Sequence, residues 1–175
     1  MTKNLFVFVV LAALAVASPV AASGKPDPRE RLISVAKMVD ELKPKIGVTE
    51  PITINNMPLG KHLVGTQLFH GELTTFFSDE VLLNVSDDVL RAIVAHELGH
   101  VKLGHVNLKK GLIAVEQAIS YEKEADGIAG KILGKQAVVE MIRVLDGLLK
   151  KNNMEKEWAR QAVAERIQAI QTLNP

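Results

Sequence analysis

The sequence has no cysteine among its 175 residues. It therefore offers no disulfide framework, no cysteine nucleophile and no thiolate ligand, so any metal ion must be held by histidine and carboxylate side chains. Aromatic residues make up only 4%, and 21 basic residues nearly balance 20 acidic ones. Because there is no basic surplus, nucleic acid is not an expected partner. The hydrophobic fraction of 47% is too high for a disordered chain and, at this length, indicates one compact domain.

The longest apolar run lies at the N-terminus. Residues 5–17 are all apolar, follow Lys3 and precede small residues that end at Ala22. This order is typical of a secretory signal peptide, and the run is shorter than the ~20 residues that cross a membrane. We predict a signal peptide at residues 1–22, cut after Ala22 or after Ala17, with an uncleaved N-terminal anchor as the alternative. The mature chain, residues 23–175, is then one domain without a membrane span, exported to the periplasm or secreted.

Hydrophobic periodicity and turn signals predict an α+β fold, with one helix, then a small sheet, then further helices. Asp27 has the features of a helix N-cap, and Lys43-Pro44 indicates the end of that first helix. Ser86 is the predicted cap of a second helix. The predicted strands are residues 52–54, 66–70 and 73–77, the last two forming a hairpin through Gly71-Glu72. The predicted later helices are residues 86–101, 112–133, 137–151 and 155–173.

The motif His96-Glu97-Leu98-Gly99-His100 lies in the helix that Ser86 caps. Residues four apart on a helix are ~40° apart in rotation, so both imidazoles leave one face and can bind one Zn²⁺. Glu97 is ~100° around from His96, where it can flank the metal and take a proton from a bound water as general base. Chance produces this motif in about one such chain per hundred, so two unrelated surface histidines are a poor explanation.

A catalytic zinc site needs a third protein ligand and an open position for water. The metzincin pattern would require glycine and histidine where Leu103 and Val106 stand, so that pattern is excluded. His105 is ~140° from the face of His100 and is not the expected ligand while the helix continues. We predict that His105 is a surface or supporting histidine just past a break at Gly104.

The next helix supplies carboxylates. Glu122 lies on a stripe of small and apolar residues that should face the protein, whereas Glu124 lies on the opposite, solvated face. A buried carboxylate is costly unless paired or metal-bound, so Glu122 is the predicted third ligand, with a salt-bridged carboxylate as the alternative. Asp126, at the edge of the same face, is predicted to fix the tautomer of a ligand imidazole. The small residues predict a close approach between this helix and the metal helix.

Two segments of the sequence, 95–100 and 122–126, resemble the core motifs of gluzincin metallopeptidases grouped with the CAAX prenyl proteases and HtpX, including their small exported members. The first is similar to the zinc-binding helix of that family and the second to its glutamate-ligand motif. Weaker similarity at residues 81–83 and 165–167 extends the resemblance over about residues 66–173, most of the mature chain.

The resemblance implies a zinc-dependent endopeptidase that hydrolyses peptide bonds in a protein or peptide substrate. It implies one Zn²⁺ per chain, held by His96, His100 and Glu122, with Glu97 as general base. It also implies a zincin-like fold, mostly helical with a small sheet containing an antiparallel pair. The strand at residues 66–70 would be the edge strand along which an extended peptide pairs.

The chain departs from the family near its C-terminus, where Arg160-Gln161 replaces a frequent His-Pro dipeptide. The group that stabilises the oxyanion is therefore open among Arg160, Arg166, His105 and Tyr121. An exported zinc-containing chaperone or assembly factor with little proteolytic activity is the alternative function. A metal-free helical interaction module would require both motifs to be coincidences.

Overall fold

The computed structural model describes residues 27–57, 63–107, 114–154 and 157–173. The predicted signal peptide at residues 1–22 lies outside these ranges. The elements are α1 (Pro28–Ile46), β1 (Ile52–Met57), β2 (Val64–Phe69), β3 (Glu72–Ser78), α2 (Asp79–Asn84), α3 (Asp87–Lys102), α4 (Val115–Leu133), α5 (Lys135–Lys151) and α6 (Glu157–Thr172). A short 3₁₀ turn at His105–Asn107 follows α3. The chain is mostly helical with one small sheet, which confirms the α+β prediction. Among the described residues, no helix is long and apolar enough to cross a bilayer.

The sheet has the strand order β1-β3-β2, so β2 is an edge strand. Strand β3 pairs parallel with β1 and antiparallel with β2, and the second pair is the predicted hairpin. The turn lies one residue earlier than predicted, at His70 and Gly71, which both have positive φ angles of 50° and 86°. Two such residues give a turn whose twist matches that of the paired strands. Among the strands that the structure describes, β2 pairs with β3 alone, so one edge of its backbone has no neighbouring strand there.

The prediction that the first helix ends at Lys43-Pro44 is wrong, because α1 continues to Ile46. A proline in the last turn removes one backbone hydrogen bond but leaves the side chains around it free to pack. Leu42 and Ile46 are buried on either side of Pro44, and this burial keeps the helix going. The helix ends at Gly47, which has a φ of 78° and donates its N–H to the Lys43 carbonyl.

The two helices around residue 80 are both started by serine caps. Helix α2 was not predicted from the sequence; it begins after Ser78 and buries Val81 and Leu82 completely. The Ser86 cap of α3 was predicted, and its side chain accepts from the Val89 N–H at 3.3 Å. Helix α3 is buried along most of its length and packs against α1, α4 and α5. The motif helix is therefore the centre of the core.

Helices α3 and α4 touch through their backbones. A Cβ atom built on Gly99 would lie 3.0 Å from the carbonyl oxygen of Ala125 and 3.1 Å from its Cα. Ordinary carbon contacts need about 3.5 Å or more, so a side chain here would have to push α4 away. This contact confirms the close approach predicted from the small residues of α4.

Candidate metal centre

Three side chains from α3 and α4 converge at one point. The Nε2 atoms of His96 and His100 are 3.1 Å apart. The Glu122 carboxylate lies 3.3 Å from His96 Nε2 through Oε2 and 3.4 Å from His100 Nε2 through Oε1. Of the described residues, these three are grouped closely enough to hold a metal ion, with one donor atom from each within 4.8 Å of the others. The structure therefore brings together the three predicted ligands.

The spacing of these atoms fits a tetrahedral ion. Ligands at ~2.0–2.1 Å from a tetrahedral Zn²⁺ are about 3.3 Å from one another. The separations of 3.1, 3.3 and 3.4 Å agree with that value. Two imidazoles and one carboxylate also form a donor set typical of catalytic zinc, which leaves a fourth position for water. The residues present can accommodate Zn²⁺.

Asp126 forms a hydrogen bond with the Nδ1 side of the His96 ring, opposite Nε2. Its Oδ1 lies 2.8 Å from His96 Nδ1, so the carboxylate accepts the Nδ1 proton and leaves Nε2 directed at the other donors. Burial by itself lowers the pKa of His96, but the hydrogen bonds and negative charges of Asp126 and Glu122 outweigh it and raise the pKa to about 10. The predicted contact between Asp126 and the imidazole of His96 is therefore present, while the role of His96 as a metal ligand stays a prediction.

His105 supports the second imidazole. Its Nδ1 lies 3.0 Å from His100 Nδ1, and its ring stacks on Tyr121 with centroids 4.1 Å apart. Burial, followed by the neighbouring His100, lowers the pKa of His105. A neutral His105 can therefore accept the Nδ1 proton of His100. His105 directly follows Gly104, whose φ of 74° is not helical. This agrees with the predicted break at Gly104.

Arg166 on α6 contacts two of the carboxylates of α4, those of Asp126 and Glu122. Its Nε and Nη2 donate to Asp126 at 2.7 and 2.8 Å, and its Nη1 lies 3.0 Å from Glu122 Oε2. Burial raises the pKa of each acid, yet the arginine and the histidines more than reverse this and lower both, Glu122 well below its usual value. Both acids are thus ionised at neutral pH. Arg166, one of the four oxyanion candidates, thus contacts the carboxylate of Glu122, the predicted third ligand.

The burial of the two acids is the reverse of the sequence prediction. Helical phase placed Glu122 on the buried stripe and Asp126 at its edge, but the Asp126 side chain is fully buried and that of Glu122 is 35% exposed. Asp126 tolerates full burial because His96 and Arg166 donate to both of its oxygens. Glu124 is 48% exposed on the outer face, as predicted.

Glu97 lies beside the histidine pair without belonging to the donor group. It is 9% exposed, and its Oε2 accepts a hydrogen bond of 2.7 Å from the Thr66 hydroxyl on β2. This strand was expected near the site from the family resemblance, but the role of Thr66 was not predicted. No local pattern marks a residue that is 31 positions from its partner.

The other two oxyanion candidates, Tyr121 and Arg160, lie on α4 and α6. The Tyr121 hydroxyl accepts from the Gln117 side chain at 2.6 Å. Arg160 is exposed on α6, and its neighbour Gln161 donates to Glu165 at 2.8 Å. Arg166 contacts the predicted ligand Glu122, and His105 contacts the predicted ligand His100.

The buried motif helix and its histidine–carboxylate donor set define a metallopeptidase-like centre. Comparison of the sequence with known families gives the same class, since residues 64–161 match Peptidase family M48. The match covers more than half of the chain, and the chain therefore belongs to this family of metallopeptidases. No curated protein and no solved structure matches the chain. The class of protein expected from the resemblance is thus confirmed at the level of the family.

Removal of the Arg166 charge should weaken zinc binding without removing a ligand. Arg166→Met leaves Asp126 and Glu122 without their buried cation, so we expect zinc affinity to fall by about 10- to 100-fold. Competition with a chromophoric chelator measures this change. Arg143→Met, an exposed arginine of α5, is the control and should bind zinc like the wild type. Equal affinities in both variants would show that the arginine does not support the donor set.

The pKa of His96 predicts proton release when zinc binds. At pH 7 a group with a pKa of about 10 is protonated, whereas a nitrogen ligand must be neutral. Zinc should therefore displace about one proton from His96, and its affinity should rise about tenfold per pH unit until the pH approaches 10. Glu122 and Asp126 are already ionised and should not contribute. Titration calorimetry in buffers of different ionisation enthalpy measures the protons, and a pH-independent affinity between pH 6 and 8 would contradict the prediction.

Proposed function

We propose that this protein is a zinc-dependent endopeptidase of the gluzincin type. The observation that carries the proposal is the convergence of His96, His100 and Glu122 at separations of 3.1–3.4 Å. Membership of Peptidase family M48 supports peptide hydrolysis as the reaction. The substrate class is a protein or peptide.

His96, His100 and Glu122 are the residues that would hold one Zn²⁺. Bound zinc would supply Lewis-acid chemistry by making a water more acidic and polarising the scissile carbonyl. The buried Asp126 keeps His96 in the tautomer that presents Nε2. Arg166 keeps Glu122 ionised, so that it can act as a ligand.

Glu97 is the proposed general base. Its carboxylate takes the proton of the attacking water and passes it to the nitrogen of the departing amine, so no proton is gained or lost overall. The β2 edge is the proposed site for the substrate, because an extended peptide can pair with the backbone groups of an edge strand. This edge carries Thr66, which contacts the base.

We also propose that the protein is exported. The apolar run at residues 5–17 and the small residues that end at Ala22 support cleavage of a signal peptide and a periplasmic or secreted location. Residues 23–175 would then be the metallopeptidase domain.

Digestion of casein under defined metal conditions tests the proposed reaction. The purified chain should bind one zinc and cleave casein, lose cleavage with a chelator, and regain it when zinc is restored. A folded chain that retains zinc but cleaves nothing would instead support the chaperone alternative. A chain that binds no metal after dialysis would contradict both.

A further inference from the structure

We propose that Thr66 is a positioning residue that holds the carboxylate of Glu97, and that Thr75 supports it. The inference rests on the proposed peptidase function, because it concerns the aim of the proposed base. The hydroxyl groups of these two threonines connect the sheet with the motif helix.

The contacts form a continuous series. The Thr75 and Thr66 hydroxyls are 2.8 Å apart, and the Thr66 hydroxyl is 2.7 Å from Glu97 Oε2. Thr66 and Thr75 face each other across the β2–β3 pair, and Thr75 is buried with only 4% exposure. Strand register therefore fixes the Thr66 side chain at the position where it meets the base.

The direction of the series follows from the number of protons. Each hydroxyl has one proton, and the Thr66 hydroxyl donates its proton to Glu97 Oε2. The Thr66 oxygen can then only accept in its contact with Thr75, so Thr75 donates to Thr66. A hydrogen bond to a charged acceptor is stronger than one between neutral groups, so this contact restricts the carboxylate more than packing alone would.

The contact distinguishes the two oxygens of Glu97. Oε2 is occupied by Thr66, whereas the described residues give Oε1 no side-chain hydrogen bond. Oε1 is thus the atom that takes the proton of the water and later gives it to the leaving amine. Oε2 remains an acceptor in both states, so Thr66 can keep its hydrogen bond throughout the transfer and no proton moves along the hydroxyl series.

Thr66 should therefore affect the chemical step more than substrate binding. Thr66 lies on β2, where the substrate backbone is proposed to pair. Its hydroxyl, however, donates to Glu97, the proposed base. Removing the hydroxyl should leave the edge of the strand intact and release the carboxylate. The expected result is a lower kcat with little change in KM.

The variants Thr66→Val and Thr66→Ser test this expectation with a peptide substrate and zinc-loaded protein. Thr66→Val should retain one zinc and lower kcat by about 10- to 100-fold, the range expected for a hydrogen bond to a charged group, with KM within about twofold. Thr66→Ser restores the hydroxyl and should recover most of the rate. Thr53→Val on β1, which is exposed, is the matched control and should behave like the wild type. A wild-type kcat in Thr66→Val would overturn the proposal.

A double-mutant cycle tests the contact without any catalytic assay. In zinc-free protein, Thr66→Val should lower the Tm by about 2–4 °C when Glu97 is present and by less in a Glu97→Ala background. Equal shifts in both backgrounds would also overturn the proposal. If the zinc-loaded wild type cleaves no peptide, the proposed function fails and the positioning role in catalysis fails with it. The cycle still decides whether Thr66 holds Glu97, so the two failures are distinguishable.

Discussion

Replacing Glu97 with glutamine should lower kcat for peptide hydrolysis by about 10²–10⁴-fold while the protein keeps its zinc. Glutamine has nearly the same shape and can still accept from the Thr66 hydroxyl, but it cannot take a proton from water at neutral pH. Glu97 is not one of the three grouped donors, so the metal site should survive. The rate loss would therefore isolate the proton-transfer role.

The measurement is kcat on a fluorogenic peptide, with zinc content determined on the same sample. Glu140→Gln, on the exposed face of α5, makes the same chemical change away from the site and should leave both values unchanged. A Glu97→Gln protein that cleaves at the wild-type rate would remove Glu97 from the mechanism. Loss of zinc in this variant would instead make Glu97 part of the donor set.

Replacing Glu122 with alanine should abolish zinc retention and, with it, activity. The change removes one of three donors and leaves the Arg166 charge with one acid in place of two. Metal binding free energy also contributes to the stability of the fold, so added zinc should raise the Tm of the wild type but not that of Glu122→Ala.

Glu124→Ala is the matched control, because it changes the same residue type on the same helix two positions away. Its carboxylate lies on the outer face, where it accepts from Ser120 and is 3.6 Å from His105 Nε2. Zinc stoichiometry after dialysis, measured beside thermal unfolding with and without zinc, compares the two variants. Full zinc retention in Glu122→Ala would show that another group completes the site.

The parts of the site that depend on local geometry could be predicted from the sequence. The spacing of His96 and His100 and the Ser86 cap are properties of one helix, and both are found in the structure. Helical phase also distinguished Glu122, on the face toward the protein, from Glu124, on the outer face. This was possible because both residues lie on one helix. Helical phase could not rank the burial of Glu122 and Asp126, because that depends on what packs over α4.

The contacts between distant segments could not be predicted in this way. Arg166 is 40 positions from Asp126, and its role depends on how α6 packs against α4, which no spacing rule encodes. Thr66 reaches Glu97 only because the register of β2 on β3 turns its hydroxyl toward α3. The end of α1 was mispredicted for a related reason, as burial around Pro44 overrides a local helix-ending signal.

Gly99 is part of the histidine motif and also lies where α3 and α4 touch. The motif pattern allows any residue at the two positions between Glu97 and His100. In this chain the second of these positions, Gly99, is where the helix of the histidines packs directly against the helix of Glu122. A methyl group there would lie 3.0 Å from the Ala125 carbonyl oxygen, so α4, which also carries Glu122, would have to give way by a few tenths of an ångström. The spacing between the histidine helix and the glutamate helix thus depends on the one residue of the motif that has no side chain.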